Sequence, residues 1–377
     1  MEYRKMEKLG VCPSLLGFGC MRFPTNEDGR ICEEEALSMI DKAYQAGVTY
    51  YDTAYPYHSG KSEVVTGKAL GRYPRDSYYL ATKLPVWAIQ SEQDVERIFN
   101  EQLERLQKEY VDFYLLHALN GERWETVKKY NIIEHCEKLR SEGKLKYIGF
   151  SFHDNYEMFH EILTAYPWDF CQIQFNYMDR DTQATTKGVE LAAKLGIPLV
   201  IMEPVKGGVL ANLPMQGVDE LFKAARPEDS TASWALRYVG SLEPVKVVLS
   251  GMSTMAQVED NLATFDSFEP LSVAEQELVN QVADALHNRV QNGCTACRYC
   301  MPCPAGVDIP GCFRIWNTYH VYENENEAKW RWMNEITDAQ KAKNCVQCGK
   351  CEQVCPQHIS IREDLKKLQK ELDDIAQ

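Results

Sequence analysis

The chain has 377 residues, with 41 basic residues against 55 acidic ones and a net charge of −14. The length admits two domains, and the acidic balance argues against nucleic acid or an anionic membrane surface as a partner. No apolar run approaches the length of a membrane span, and the first residues lack the apolar core of a signal peptide. We therefore expect a cytoplasmic protein.

Strand and helix patterns alternate through the first 264 residues. Runs of β-branched and aromatic residues predict buried strands at 15–20, 48–51, 78–83, 111–117, 146–152, 170–175, 199–203 and 245–251. One-sided apolar periodicity predicts helices at 33–45, 63–70, 91–106 with Ser91 as its cap, 125–142, 155–165, 184–195, 230–238 and 255–264. Eight such units with short connections predict an α/β fold, a parallel (β/α)8 TIM barrel closed by right-handed crossovers.

Three of the predicted strands lead into ionisable residues, Asp52, Lys83 and His117, and Tyr57 lies in the loop after Asp52. The carboxyl ends of strands are where a barrel of this kind carries its chemistry. We therefore expect these four side chains to converge on one small volume. Taken singly, each is more often a turn former, a solvated cation or a packing residue, so the ordered set carries the interpretation.

Asp-Thr-Ala-x-x-Tyr at 52–57, Ala-Thr-Lys at 81–83 and Leu-Leu-His at 115–117 resemble the aldo-keto reductase family in order and spacing. The resemblance extends over roughly residues 5–270. It implies a nicotinamide cofactor, NAD(H) or NADP(H), and a small carbonyl or alcohol substrate. It also implies the catalytic tetrad Asp52, Tyr57, Lys83 and His117.

In that family the tyrosine is the general acid, and only Tyr57 has the family spacing from Asp52. The other tyrosines of the same stretch are Tyr50, Tyr51 and Tyr55. A tyrosine pKa of about 10 makes a reluctant acid, and we expect the Lys83 cation to lower it. Asp52 would hold Lys83 in place, and His117 would hydrogen-bond the carbonyl oxygen of the substrate.

The resemblance also points to residues that contact the nicotinamide. Ser151 and Gln172 match positions that hold its carboxamide in family members, and Met202 falls where an aromatic ring often stacks on it. Phe152 stands where the family commonly has asparagine, so we do not expect the hydrogen bond that this asparagine makes to the cofactor. The substrate itself is not encoded legibly, although Trp87, Trp124 and His153 indicate an aromatic edge to the pocket.

The segment after the eighth predicted strand matches the adenosine-binding part of the family. Ser253, Gln257 and Asn261 are the candidate contacts. Family members that prefer NADP often carry Lys or Arg where this chain has Gly251 and Gln257. We therefore expect NADH to be accepted at least as well as NADPH.

Nine of the fourteen cysteines lie between residues 294 and 355, which is typical of metal binding rather than disulfides when no secretory leader is present. The second motif, at 345–356, is C-x2-C-x2-C-x3-C-P, the bacterial ferredoxin run for [4Fe–4S] clusters. The first motif, at 294–304, is one residue shorter before its last cysteine. Both end in Cys-Pro.

Three thiolates of such a run hold one cluster, and the fourth usually ligates the other. We therefore predict two [4Fe–4S] clusters. One would be held by Cys294, Cys297, Cys300 and Cys355, and the other by Cys345, Cys348, Cys351 and Cys303. Structural zinc is the alternative, a disulfide scaffold is a more distant one, and Cys312 is expected to be a packed thiol.

The predicted organisation is a barrel at 1–270, a connecting helix or linker at 271–290 and a ferredoxin-like module at 291–377. Within the module, an aromatic-rich helical stretch at 311–343 and an amphipathic helix at 361–375 would supply the packing. The module resembles the helical two-cluster ferredoxin domains of anaerobic redox enzymes over about residues 285–360.

These patterns together predict an iron–sulfur oxidoreductase of the aldo-keto reductase type. The alternative is a barrel without catalysis that serves as a scaffold for an electron-transfer module, which the changes at Phe152 and Met202 would favour. A cluster passes one electron whereas a nicotinamide passes two. The clusters therefore exchange electrons with the barrel site, serve an external redox partner or are structural, and we favour the external partner.

Overall fold

A computed structural model describes residues 1–376, without the side chains at 215 and 216. Contacts divide the chain into two units. The first comprises Met1–Leu210 and Ala232–Gln276, and the second comprises Ala211–Thr231 together with the chain from Glu277 onward. The domain boundaries drawn from the sequence, at 270 and 290, remain predictions.

The strands of the first unit form a closed parallel barrel in chain order. They are β1 (Leu16–Gly19), β2 (Tyr50–Asp52), β3 (Tyr79–Leu84), β4 (Val111–Leu119), β5 (Leu145–Phe152), β6 (Phe170–Gln174), β7 (Leu199–Met202) and β8 (Val245–Ser250). The barrel closes where Phe18 of β1 pairs with Ser250 of β8. The predicted (β/α)8 barrel is confirmed.

Helices of the first unit alternate with these strands. They are α1 (Glu33–Gln45), α2 (Lys61–Leu70), α3 (Gln93–Leu106), α4 (Gly121–Lys129), α5 (Ile132–Ser141), α6 (Tyr156–Ala165) and α7 (Thr185–Leu195). After β7 follow α8 (Glu220–Ala225, in the second unit), α9 (Thr231–Gly240), α10 (Met255–Asp266) and α11 (Val273–His287), which belongs to the second unit from Glu277 onward. Each buries an apolar face, as α3 does with Val95, Ile98 and Phe99.

Two details of the predicted helices are wrong. The segment 125–142 is not one helix, because Asn131 adopts a left-handed backbone (φ 45°) and separates α4 from α5. Ser91 is not the cap of α3, whose N-cap is Glu92. Ser91 instead donates through its backbone N and its hydroxyl to the Asp94 carboxylate.

The barrel interior is filled by aromatic and aliphatic side chains rather than open. The ring of Phe113 lies 5.0 to 5.1 Å from the rings of Tyr50, Tyr147 and Phe170. Met6, from the N-terminal segment, belongs to the same buried cluster. Because this part of the barrel is packed solid, chemistry is confined to the ends of the strands.

The second unit is mainly helical. Its further helices are α12 (Ile309–Tyr322), α13 (Glu325–Asn334), α14 (Lys350–Gln353) and α15 (Ile361–Ala376). The predicted C-terminal helix is present as α15 and buries Leu365, Leu368 and Leu372 in a cluster that includes Trp332. Each such leucine contributes about 1.5–3 kcal/mol relative to an exposed position.

The predicted helical stretch 311–343 breaks at Glu323, which has a left-handed backbone (φ 52°), and α13 begins two residues later. Cys312 is fully buried, as expected for a packed thiol. The aromatic residues of this stretch pack as predicted except Trp330, whose side chain is 59% exposed. No helix within residues 1–376 combines the length and the apolar character that crossing a membrane demands.

Candidate active site and cysteine cavities

The four ionisable residues expected to converge do so at the carboxyl ends of neighbouring strands. Asp52 ends β2, while Lys83 and His117 lie near the ends of β3 and β4. Tyr57 opens a short helical turn at Tyr57–Gly60, in the loop that follows Asp52. Lys83 Nζ contacts both Asp52 and Tyr57, and the rings of Tyr57 and His117 meet edge to face with centroids 5.9 Å apart.

Lys83 is the centre of this arrangement. Its buried Nζ donates to Asp52 Oδ1, to the Thr53 carbonyl at 2.8 Å and to the Tyr57 hydroxyl at 3.3 Å. An ammonium has three N–H donors, so all three are engaged. Because the Tyr57 oxygen accepts from Lys83, its own O–H proton points elsewhere and is free to be donated.

Desolvation raises the pKa of Tyr57, and the Lys83 cation opposes this rise without cancelling it. Lys83 thus lowers this pKa as expected, but the net value lies above the ordinary one because withdrawing a phenolate from water costs more than the cation returns. Burial lowers the pKa of Lys83, but Asp52 and Tyr57 more than compensate, and it lies above its ordinary value. At neutral pH the site holds a charged lysine beside a protonated tyrosine.

His117 is a neutral imidazole in this site. Desolvation, with Lys83 adding to it, lowers the pKa of His117 well below its ordinary value. Its Nδ1 is buried and makes no hydrogen bond within the described chain. The residue that follows, Ala118, has a left-handed backbone (φ 54°) where the pairing of β4 with β5 shifts register. Irregular strand ends of this kind commonly re-aim a side chain beside an active site.

Ser151 and Gln172 lie next to this group rather than apart from it. Gln172 Nε2 donates to Asp52 Oδ2 at 3.1 Å, and Ser151 Oγ accepts from the Ala118 backbone N at 2.7 Å. Both side chains are buried, Gln172 in the middle of β6 and Ser151 near the end of β5. The two predicted carboxamide contacts therefore also brace the residues that position Lys83 and His117.

Two further positions that the resemblance assigns to the nicotinamide, Phe152 and Met202, differ in how their side chains are buried. Phe152 is fully buried, with its ring centroid 5.1 Å from that of Phe159 on α6, so it lies in the layer between strands and helices. Met202 ends β7, is only partly buried and packs against the cluster in the barrel interior. Phe152 thus replaces a polar contact with core packing.

The three candidate adenosine contacts come together after β8 but bond to the chain itself. Ser253 Oγ donates to the Arg22 carbonyl at 2.8 Å, and Gln257 Oε1 accepts from the Ser253 backbone N at 2.7 Å. Asn261 Nδ2 donates to Ser250 Oγ at 2.7 Å and is buried. Gln257 and Ser253 keep exposed surface at the start of α10.

Sequence reasoning missed Arg22, an exposed cation just after β1. A Cβ added to Gly251 would come within 2.8 Å of Arg22 Cγ, so the arginine stem runs along Gly251. The Arg22 cation therefore lies beside Gly251, a position at which the chain itself has no cation. Arg22 could have been found from its place just after β1, because the carboxyl ends of all eight strands lie at one rim of the barrel.

The aromatic edge of the site is smaller than expected. Trp87 lies with its ring centroid 5.1 Å from His117, and the guanidinium of Arg123 stacks over it at 4.8 Å. Trp124 is instead buried and donates to Glu161 at 3.1 Å. His153 is bonded to Gln183. Arg123, which sequence reasoning missed, also donates to the Ala118 carbonyl at 2.6 Å.

A buried polar network fixes the end of β3 from behind. The fully buried Glu63 accepts from Thr82 Oγ1 at 2.7 Å and from Gln102 Nε2 at 2.8 Å. Gln102 Nε2 also donates to the Lys83 carbonyl at 3.0 Å, and Arg105 pairs with Glu63 at 3.2 Å. A satisfied network of this kind holds the Lys83 backbone in one position.

The eight motif cysteines of the second unit line two neighbouring cavities. The first cavity is lined by Cys303, Cys345, Cys348 and Cys351, and also by Cys300, which it shares with the second cavity. The second is lined by Cys294, Cys297, Cys300 and Cys355. Each cavity is thus lined by cysteines of both motifs. Within residues 1–376, no three His, Cys, Asp or Glu side chains approach closely enough to hold a single metal ion.

The fold and this arrangement of side chains are those of an oxidoreductase. The model of the aldo/keto reductase family matches residues 15–284, and the chain belongs to that family. The model of the 4Fe-4S dicluster domain matches residues 293–359. The chain is thus an aldo-keto reductase with a 4Fe–4S ferredoxin-type domain fused to its C-terminal side.

Known relatives share the barrel. L-galactose dehydrogenase of Arabidopsis thaliana is 28% identical over 317 residues, which cover 78% of this chain and 96% of the relative. NADH-specific methylglyoxal reductase of Escherichia coli (strain K12) is 24% identical over 306 residues, 69% of this chain and 89% of the relative. The holo structure of an aldo-keto reductase from Bacillus halodurans superposes with a TM-score of 0.61 at 26% identity, covering 75% of this chain and 96% of that one.

Proposed function

We propose that this oxidoreductase reduces a small carbonyl compound, or oxidises the corresponding alcohol, with Tyr57 as general acid. The observation that carries the proposal is the Lys83 ammonium shared between Asp52 and the Tyr57 hydroxyl, beside a neutral His117. The nicotinamide, when bound, supplies or accepts the hydride.

The chain's own residues handle the proton and the charge. Tyr57 donates its O–H proton to the carbonyl oxygen in the reducing direction. Lys83 donates to the Tyr57 oxygen and stabilises the phenolate that is left, while Asp52 keeps Lys83 charged. His117, a neutral imidazole whose ring meets that of Tyr57, hydrogen-bonds the substrate oxygen and orients it.

The residues present fit a nicotinamide, since a buried serine and a buried glutamine lie beside the tetrad at paired positions of β5 and β6. Ser151 and Gln172 would hold its carboxamide, and Met202 would lie beside the ring. Ser253, Gln257 and Asn261 would face the adenosine. We propose that NADH is accepted at least as well as NADPH, which the name of the Escherichia coli relative supports.

The cysteines fit two [4Fe–4S] clusters, because five line the first cavity and four the second, with Cys300 common to both, so eight thiols are present for two sites of four. A cluster, when bound, carries one electron. We propose that the two clusters pass electrons to an external redox partner. Three apolar side chains that line the first cavity support this, since Tyr299, Val346 and Val354 are 70%, 66% and 51% exposed. Exposed apolar side chains of this kind form the buried core of a protein–protein interface.

The test uses anaerobically purified protein whose clusters have been reduced beforehand. A panel of small aldehydes and ketones is added without nicotinamide, and cluster absorbance in the visible range is followed. We expect no substrate-dependent reoxidation, and saturable binding of NADH in a separate titration. Reoxidation that requires both substrate and Tyr57 would put the clusters on the catalytic path instead. Absence of NADH and NADPH binding would contradict the reductase proposal and favour a scaffold role for the barrel.

A further inference from the structure

The two halves of the cysteine module repeat one local backbone. Ala296 and Gln347 each precede the second cysteine of their motif, and both are left-handed, with φ of 55° and 58°. Gly306 and His358 each stand three residues after the last cysteine, and both are left-handed, with φ of 78° and 51°. Helices α12 and α15 begin three residues later in each half. Corresponding positions of the two halves can therefore be compared directly.

The halves differ in what they offer to cysteine sulfur. Gln347 Nε2 donates to Cys345 Sγ at 3.3 Å. Within residues 1–376 this is the one side-chain hydrogen bond that reaches a sulfur of the eight motif cysteines. Ala296, at the matching position of the other half, has no side-chain donor. The first cavity therefore has a polar contact that the second lacks.

Positive charge also differs between the two cavities. Arg362 and Lys350 line the first cavity, and Arg298 lines the second. The charge of Arg362 is shared with Glu352 at 2.8 Å, and that of Arg298 only loosely with Asp308 at 3.8 Å. Lys350 gives the first cavity a second cation, which favours a reduced cluster in the same direction as the amide of Gln347, so a change at Gln347 alone is needed to measure the amide.

Hydrogen bonds to the sulfurs of an iron–sulfur cluster stabilise its reduced, more negative form and so raise its reduction potential. We propose that Gln347 raises the potential of the cluster held by Cys345, Cys348, Cys351 and Cys303 above that of the other cluster. This rests on the two-cluster function proposed above. One electron passes from the reduced cluster of the second cavity to the oxidised cluster of the first, and no bond forms or breaks. At equilibrium the first electron to enter the module rests in the first cavity.

The test is a potentiometric titration of the anaerobic full-length protein with dithionite and mediators, followed by electron paramagnetic resonance. Gln347→Leu should shift the higher midpoint potential downward and narrow the gap between the clusters. Ala296→Gln should shift the lower midpoint upward. The left-handed backbone at 296 accommodates that change, since Gln347 adopts the same conformation. Gln353→Leu, at an exposed position outside both cavity linings, is the matched control and should shift neither midpoint.

Iron and sulfide analysis of every variant separates tuning from cluster loss. The role of Gln347 would be overturned if Gln347→Leu held as much iron as the wild type and its higher midpoint potential did not move. It would also be overturned if both midpoint potentials shifted equally. Should Gln347→Leu fail to load, Ala296→Gln decides alone, and an unmoved lower midpoint there would overturn it as well. Wild-type protein that holds one cluster, or zinc, would instead overturn the two-cluster function on which the inference rests.

Discussion

At the scale of single residues, Lys83 determines the chemistry of the barrel site. Its three N–H donors are all committed to Asp52, Thr53 and Tyr57, so the cation has no donor left for a substrate. Lys83 therefore acts on a substrate only through Tyr57. The tyrosine carries the proton, and the lysine sets what it costs to release that proton.

Tyr57→Phe removes the proton donor and little else. We expect carbonyl reduction to fall by about 10²–10⁴-fold, because that is the usual worth of a positioned general acid, while NADH binding is kept. Steady-state turnover and a binding titration measure the two effects separately. Tyr55→Phe is the control in the same loop, since its hydroxyl donates to Glu101 and not to the tetrad. Wild-type turnover in Tyr57→Phe would show that the acid is another group.

The direction of the Tyr57 pKa predicts the pH dependence. Desolvation raises this pKa above about 10, so the acid stays protonated and active through neutral and mildly alkaline pH. His117 is neutral in the same range, because its pKa lies well below the ordinary value. We expect kcat/KM for carbonyl reduction to be flat between about pH 7 and 9 and to fall only at higher pH. An alkaline fall within that range, absent from Tyr57→Phe, would mean that Lys83 outweighs burial.

The residues of the tetrad were readable from the sequence because each follows a strand and their order is distinctive. The net direction of the shift in the Tyr57 pKa could not be read from the sequence, because it depends on how completely the folded chain removes water from the phenol. Trp124 was misjudged for a related reason. Its neighbours Glu161 and Trp168 come from a distant part of the sequence, and they bury it away from the site.

At the scale of elements, the strands and most helices could be predicted from local sequence patterns. The helix break at Asn131 and the network behind β3 could not. The apolar stripe of 125–142 runs on across Asn131, so periodicity alone does not reveal the break between α4 and α5. The network of Glu63, Thr82 and Gln102 behind β3 joins residues of three separate elements. Such partners come together only when α2 and α3 pack against β3.

The loop after β8 carries the prediction on cofactor choice. Gln257→Arg should tighten NADPH binding by about tenfold and leave NADH unchanged, since a charged hydrogen bond to the 2′-phosphate adds roughly 1.5 kcal/mol or more. Isothermal titration with both cofactors measures this, and Gln257→Leu controls for loss of the amide. A wild-type preference for NADPH that disappears in Arg22→Ala would contradict the NADH proposal and show that Arg22 supplies the cation.

At the scale of the whole molecule, the cysteine content predicts the metal content. Anaerobic protein should hold about eight irons per chain, as expected for two cubane clusters. Iron, sulfide and zinc analysis of the purified chain measures this. Four irons would mean that the shortened first motif does not complete a site, and zinc in place of iron would remove the electron-transfer role.

The crossed ligand sets make a separate prediction. Cys303→Ala lies in the first motif, yet it should remove the cluster of Cys345, Cys348 and Cys351, because that cavity takes its fourth cysteine from the first motif. Paramagnetic resonance should then lose the signal that Gln347→Leu shifts. Cys312→Ala, a buried cysteine outside both cavity linings, should keep both signals. Loss of the Cys294 cluster instead would mean that each motif serves only its own cluster.

Because each proposed cluster takes ligands from both motifs, the order of synthesis determines when the clusters can be inserted into the module. In the proposed ligand sets, the first three cysteines to leave the ribosome wait for Cys355, which emerges only after α12 and α13 have been made. Cys303 likewise waits for the second motif. A nascent chain stalled before residue 345 would hold no finished cluster, so maturation of both centres falls after translation of the whole module. Such a chain depends on the iron–sulfur supply of the cell at one late moment rather than at two successive ones.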